Sequence, residues 1–214
     1  MTTDTTVLDG LDFPVTGRGP GLAVGDDVAD LLFREARTAN SFSSEPVTEE
    51  QVRAIYDLVK WAPTSMNTQP LRALVLRTAE AKARLLPHMA PGNRDKTEAA
   101  PLTVVLAADV DFHENIPQVF PHAPQVKDNF SDEQGRVEFS KLNSLLQVGY
   151  FIIGVRAAGL AAGPMTGLDF EGVRKEFLDD DHTPLMVVNI GKPGEDAWYP
   201  RSPRLAYDDV ITTV

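Results

Sequence analysis

The 214-residue chain carries 20 Lys and Arg against 31 Asp and Glu, a formal net charge of -11, and 43% of its residues are hydrophobic. That balance suits an ordinary globular domain able to bury its own core. It argues against a nucleic-acid or anionic-membrane partner, because both attract basic surfaces. With no cysteine, the chain has no disulfide, no thiolate nucleophile and no Cys-ligated metal.

The N-terminus lacks the basic start and apolar run of a secretory signal, and no apolar stretch approaches the roughly 18 residues that would span a bilayer. A cytoplasmic location is expected. Residues 1–25, rich in Thr, Asp, Gly and Pro (Gly17, Gly19, Pro20, Gly21), read as a flexible arm or one draped over a partner, and 26–214 as a single domain. A first helix is expected over 26–37, with Val28, Leu31 and Leu32 on its apolar stripe. A second, 48–61, opens on Thr48 and Gln51 as a capping box, carries Val52, Ile55, Tyr56 and Val59 at helical spacing, and is stopped by Pro63.

A strand candidate follows at 71–77 and a short helix at 79–88. The runs 102–108 and 185–190 are continuous and apolar, as strands covered on both faces should be. Between them a helix over 138–158 is apolar nearly all round in its second half (Leu145, Leu146, Tyr150, Phe151, Ile152, Ile153, Val155), and Gly159 is placed to stop it. A helix of that kind is buried in a large core or an oligomer interface; in so small a domain, a dimer contact is the better fit. The segment 110–137, with Phe112, Phe120 and Phe130 and no clean period, reads as an ordered excursion of the sort that holds substrate-site residues.

Four polar clusters stand out. Arg34, Arg37, Thr38, Asn40 and Ser41 offer the guanidinium fork and neutral donors that a phosphate monoester needs, although a solvated helix end would use the same letters. Pro63, Thr64, Ser65, Met66, Asn67, Thr68, Gln69 and Pro70 bracket hydroxyls and amides between prolines, able to read the edge of a heterocycle such as a flavin or to form a plain polar turn. Asn93 and Lys96 lie three apart, on one face if helical, otherwise in a solvated turn. Gly163, Pro164, Met165, Thr166 and Gly167 permit close backbone approach to a flat ligand, and Arg201 and Arg204 can complete a phosphate site; a Gly/Pro loop and a basic tail explain them equally. Other site classes are absent. His88, His113, His122 and His182 show no metal-ligand spacing, so no metal is expected, and no dinucleotide fingerprint, phosphate-binding lysine loop or nucleophile elbow occurs.

The run Trp61–Pro70 resembles the Pro-Ser/Thr-Ser-x-Asn-x-Gln-Pro motif of the nitroreductase family, and the four clusters follow in that family's order over roughly residues 30–214. Within it, Phe120-Pro121-His122, the helix with Leu146, Gln147 and Tyr150, Gly163–Gly167 and Pro200–Leu205 look most like the malonic semialdehyde reductase subgroup of the uracil-degrading Rut pathway. The resemblance implies an α+β fold, a small, mostly antiparallel sheet flanked by helices, dimerised through long helices with two FMN molecules at the interface. By position, Arg37, Thr38, Asn40, Arg201 and Arg204 would approach the phosphate and ribityl chain. Pro63, Thr64, Ser65, Asn67 and Gln69 would come from the partner subunit to the ring. Asn93 and Lys96 would sit at the pyrimidine edge, with Pro164, Met165, Thr166 and Gly167 near N5. Lys96 and His122 are the catalytic candidates, one steadying negative charge on the reduced ring, the other a proton source. One departure is the stretch Arg37-Thr-Ala-Asn40, which lacks the second cation usual there. The implied activity is ping-pong hydride transfer from NAD(P)H to a small aldehyde, 3-oxopropanoate giving 3-hydroxypropanoate; nitroaromatic or quinone reduction, and flavin binding without turnover, are the alternatives.

Overall fold

The computed structural model describes residues 5–8, 11–14 and 21–214. Gly17, Gly19 and Pro20, on which the flexible-arm reading rested, lie outside the described residues. Strands β1 (Thr5–Leu8) and β2 (Leu11–Pro14) pair antiparallel. Helix α1 (Asp26–Ala29) runs into a wider π turn, Asp30–Arg34. The expected helix over 26–37 therefore ends early. Just beyond it the chain is held by longer-range bonds, Ala39 N–H to Ala162 O and Asn40 N–H to Ala197 O, each 3.0 Å. Tertiary pairing outweighs local helical preference here.

Helix α2 (Glu49–Val59) starts with the anticipated reciprocal cap: Thr48 Oγ1 accepts from Gln51 N–H while Gln51 Oε1 accepts from Thr48 N–H. Ile55 and Val59 are buried, whereas Tyr56 is 61% exposed. Strand β3 (Leu71–Leu76), helix α3 (Ala79–Leu85), helix α4 (Pro91–Ala99) and strand β4 (Leu102–Asp109) follow. Helix α4 was not expected; Pro91 supplies its first-turn residue, a position where the missing N–H is harmless. The excursion after β4 holds a single helical turn, α5 (Ile116–Val119), between tighter turns, and Phe112, Phe130 and Phe139 pack within 5.2 Å of one another.

Helix α6 (Glu133–Ala157) begins earlier than its apolar run, because Asp132 caps it by accepting from Gly135 N–H at 2.7 Å. Strand β5 (Ala161–Met165), helix α7 (Phe170–Phe177), strand β6 (His182–Gly191) and the single turn α8 (Tyr207–Val210) complete the chain. The four central strands form one antiparallel sheet in the order β3-β4-β6-β5. Every residue of β4 is buried, as its continuous apolar run anticipated.

Two cores follow from the two faces of this sheet. Val104, Leu106, Val188 and Ile190 pack against Ile55 and Val59 of α2 and Val148, Phe151 and Val155 of α6. On the other face Val105 and Val187 meet Leu85, Met89 and Val173. Gly154 lets α2 and α6 approach: a Cβ there would lie 2.4 Å from Val59 Cγ1. Among the described residues no helix is long and apolar enough to cross a membrane.

Candidate active site

The inner side of α6 is polar in its first half. Ser140, Asn143 and Gln147 are buried, while Leu142, Leu145, Leu146 and Tyr150 face outward with 44–65% exposure. The buried amides are bonded to backbone: Asn143 Oδ1 accepts from Ser65 N–H at 2.8 Å, and Gln147 Oε1 from Leu71 N–H at 2.9 Å. They clamp both ends of the loop between α2 and β3. Inside it Met66, Asn67 and Gln69 take φ values of 51°, 52° and 45°, a left-handed region disfavoured for side-chain-bearing residues. Residues in such backbone cost on the order of 1–3 kcal/mol each and persist where the surroundings over-determine them, often at functional sites. Thr64 Oγ1 steadies the loop by accepting from Gln69 N–H, and Asn67 Nδ2 donates to Val119 O at 2.8 Å. That bond ties the loop to the excursion where the exposed His122 ring lies 3.9 Å from the Phe120 ring.

The remaining clusters meet elsewhere. The 38–40 segment lies along β5, where Gly163 permits the approach: a Cβ would sit 2.6 Å from Ala39 O. Helix α4 crosses nearby, and Lys96 Nζ stands 3.5 Å from Asn40 Oδ1. Asn93 Nδ2 donates to Gly167 O at 3.2 Å, and Thr97 Oγ1 is 3.9 Å from Met165 Sδ. Pro164 is half-buried in β5, while Thr166 and Gly167 are exposed just beyond it. A cavity of about 220 Å³ is lined by Arg37, Thr38 and Asn40 together with Tyr199, Arg201, Ser202 and Arg204. Arg201 donates to Ala36 O, and Arg204 to Ser202 O and Pro203 O. Among the described residues none of Arg37, Arg201, Arg204 or Lys96 has a carboxylate within ion-pair reach. In a chain of net charge -11, three guanidiniums left unpaired around one hollow suit an anion with several oxygens. They fit a phosphate.

One chain thus gathers Arg37, Thr38, Asn40, Asn93, Lys96, Met165, Gly167, Arg201 and Arg204 on one side. The loop with Pro63, Thr64, Ser65, Asn67 and Gln69, and His122 near it, bonds instead to α6 and to the excursion. Sequence reasoning passed over Asn189. Its side chain donates to Lys96 O and Thr97 Oγ1, each at 3.2 Å, and accepts from Thr103 Oγ1 at 2.9 Å, pinning α4 to the sheet. The available signal was one amide inside an apolar strand. Asn143 and Gln147, four apart on one helix face, were another such signal.

The family model described as Nitroreductase matches residues 33–192. A Streptomyces coelicolor protein named as an NADH dehydrogenase/NAD(P)H nitroreductase is 69% identical over 186 residues, covering 86% of this chain and 95% of that protein. Among solved structures, a Bacillus subtilis nitroreductase superposes with a TM-score of 0.78 at 22% identity, over 88% of this chain and 99% of its own. An Exiguobacterium sibiricum nitroreductase in complex with FMN superposes with a TM-score of 0.76 at 22% identity, over 88% and 97%.

Proposed function

The chain belongs to the nitroreductase family, and from that premise we propose that it is an FMN-dependent NAD(P)H oxidoreductase, acting as a homodimer on a small aldehyde such as malonic semialdehyde. The observation that carries the cofactor assignment is the set of unpaired guanidiniums, Arg37, Arg201 and Arg204, around one cavity. FMN binding to the Exiguobacterium relative and the names of the curated relatives support it.

Bound FMN supplies the hydride carriage between NAD(P)H and acceptor. The arginines hold its phosphate, with Thr38 and Asn40 as neutral partners. Lys96, kept in place through its own carbonyl by Asn189, would set a cation beside the flavin ring and favour negative charge there. Asn93, fixed by Gly167 O, offers its amide to the ring edge. A second copy of the chain would bring the 63–70 loop, whose bonds within one copy run to α6 and the excursion. The exposed Leu142, Leu145, Leu146 and Tyr150 of α6 form the apolar seam between copies, since contiguous exposed apolar faces mark association surfaces. His122, on the excursion to which Asn67 bonds through Val119 O, would deliver the proton an aldehyde oxygen requires.

A second reading, reduction of nitroaromatics or quinones by the same residues, is favoured by the names of the curated relatives. Purified protein should be yellow or take up added FMN. Turnover of malonic semialdehyde, a nitrofuran and a quinone with NADH and NADPH then separates the readings. Selective aldehyde turnover supports the first, and equal unselective rates the second. A colourless protein that refuses FMN overturns both.

A further inference from the structure

A second hollow, of about 210 Å³, adjoins the arginine cavity. Ala36 and Arg37 line both. Its other walls include Leu31, Leu160, Pro193, Arg156 and Trp198, with Glu35 also contributing. By volume it is below the roughly 300–1,000 Å³ that a whole small-molecule ligand occupies, so alone it would be a poor site. As an annex to the phosphate cavity it has the size of a nucleoside.

We propose that this annex takes the adenylate half of FAD, so that the chain binds FAD as well as FMN. The inference rests on the flavin reading above. The Trp198 indole, 40% exposed, lines the hollow together with apolar walls, and an accessible indole is a platform on which a nucleobase can stack. Arg37 stands in both hollows, where it meets the phosphate FMN already has and the one FAD adds. Arg156 also lines the annex; it donates to Leu32 O at 3.0 Å, and among the described residues no carboxylate pairs with it. Burial lowers its pKa from the ordinary guanidinium value, which marks a partly dehydrated cation that gains from an anionic partner. The carboxylate of Glu35 can accept from the two hydroxyls of a ribose. One cation shared by the two cavities, a second in the annex, an indole and a carboxylate match a diphosphate, a base and a sugar. An acyl chain would use only the apolar part.

Binding of FMN and of FAD, followed by quenching of flavin fluorescence, tests this in the full-length protein and in Trp198→Ala and Trp198→Phe. Trp198 lies outside the set assigned to FMN, and its exposure makes the substitution compatible with folding. FAD is expected to bind within about tenfold of FMN. Trp198→Ala should weaken FAD about tenfold, the effect of removing one stacking platform, and leave FMN unchanged, while Trp198→Phe restores most of the loss. AMP should compete with FAD and not with FMN. FMN binding without FAD binding, or equal weakening of both flavins by Trp198→Ala, overturns the annex and spares the flavin reading. Failure of both flavins overturns the two together.

Discussion

Arg37 is the sharpest place to perturb the chain, because it is half-buried, lacks a carboxylate partner among the described residues and lines the arginine cavity. Hydrogen bonds to charged groups contribute about 1.5–3 kcal/mol net. Partial exposure and salt screening favour the lower end. At about 1.5 kcal/mol, Arg37→Ala should raise the dissociation constant for FMN about tenfold. Riboflavin, which lacks the phosphate, provides the internal control, and its affinity should be unchanged by the substitution. The loss for FMN should also shrink as ionic strength rises, because Arg37 is not sealed from solvent. Titrations of both flavins against the parent and variant proteins, each at two salt concentrations, give the comparison. Equal weakening of riboflavin and FMN would show that Arg37 shapes the pocket and does not hold a phosphate; no change in either would show that the cavity is not the flavin's phosphate site.

Asn189→Ala should be costly, since the residue is fully buried and holds three polar partners; a loss of about 2–4 kcal/mol would lower the melting temperature by about 5–15 °C and loosen FMN through the displaced α4. Leu146→Glu places a charge on the outward face of α6, and light scattering should report a monomer with weakened FMN binding; an unchanged dimer would move the seam elsewhere. The Glu171 carboxyl is held at about 2, against an ordinary value of 4.5, chiefly by its hydrogen bond to Arg174 and then by Lys175. A depressed folded pKa gives stability present above the unfolded value and lost as pH falls through the folded one. The contribution should therefore fade between about pH 4.5 and 2, and Glu171→Gln should flatten that part of the acid-unfolding profile. NMR titration of the carboxyl checks the midpoint.

The sequence spoke most clearly where local rules and burial agree. The Thr48–Gln51 cap, the stop before Pro63 and the fully buried β4 all follow from short-range chemistry or a continuous apolar run. It was silent where distant partners decide. The helix expected over 26–37 stops at Arg34, and the chain after it bonds instead to Ala162 and Ala197 through Ala39 and Asn40. Gly163 and Pro164 lie in a strand although both residues disfavour one, because β5 sits at the sheet edge and Gly163 must admit Ala39 O. The site shows the same division. Clusters near the ends of α1, α4 and the chain could be named singly from their letters. Their convergence on the 37–40 segment, and the left-handed backbone at Met66, Asn67 and Gln69, are properties of the folded chain that no residue alphabet displays.

Within two turns of α6, residues pointing inward brace the 63–70 loop and residues pointing outward are apolar and exposed. Asn143 and Gln147 alternate there with Leu142, Leu145 and Leu146. A rigid rod cannot yield on one side alone, so a push on the leucines is felt by the amides, and through them by Ser65 and Leu71. In the proposed dimer, the seam and the shape of that loop would therefore be mechanically linked, and substitutions on the outer face should read out as altered chemistry.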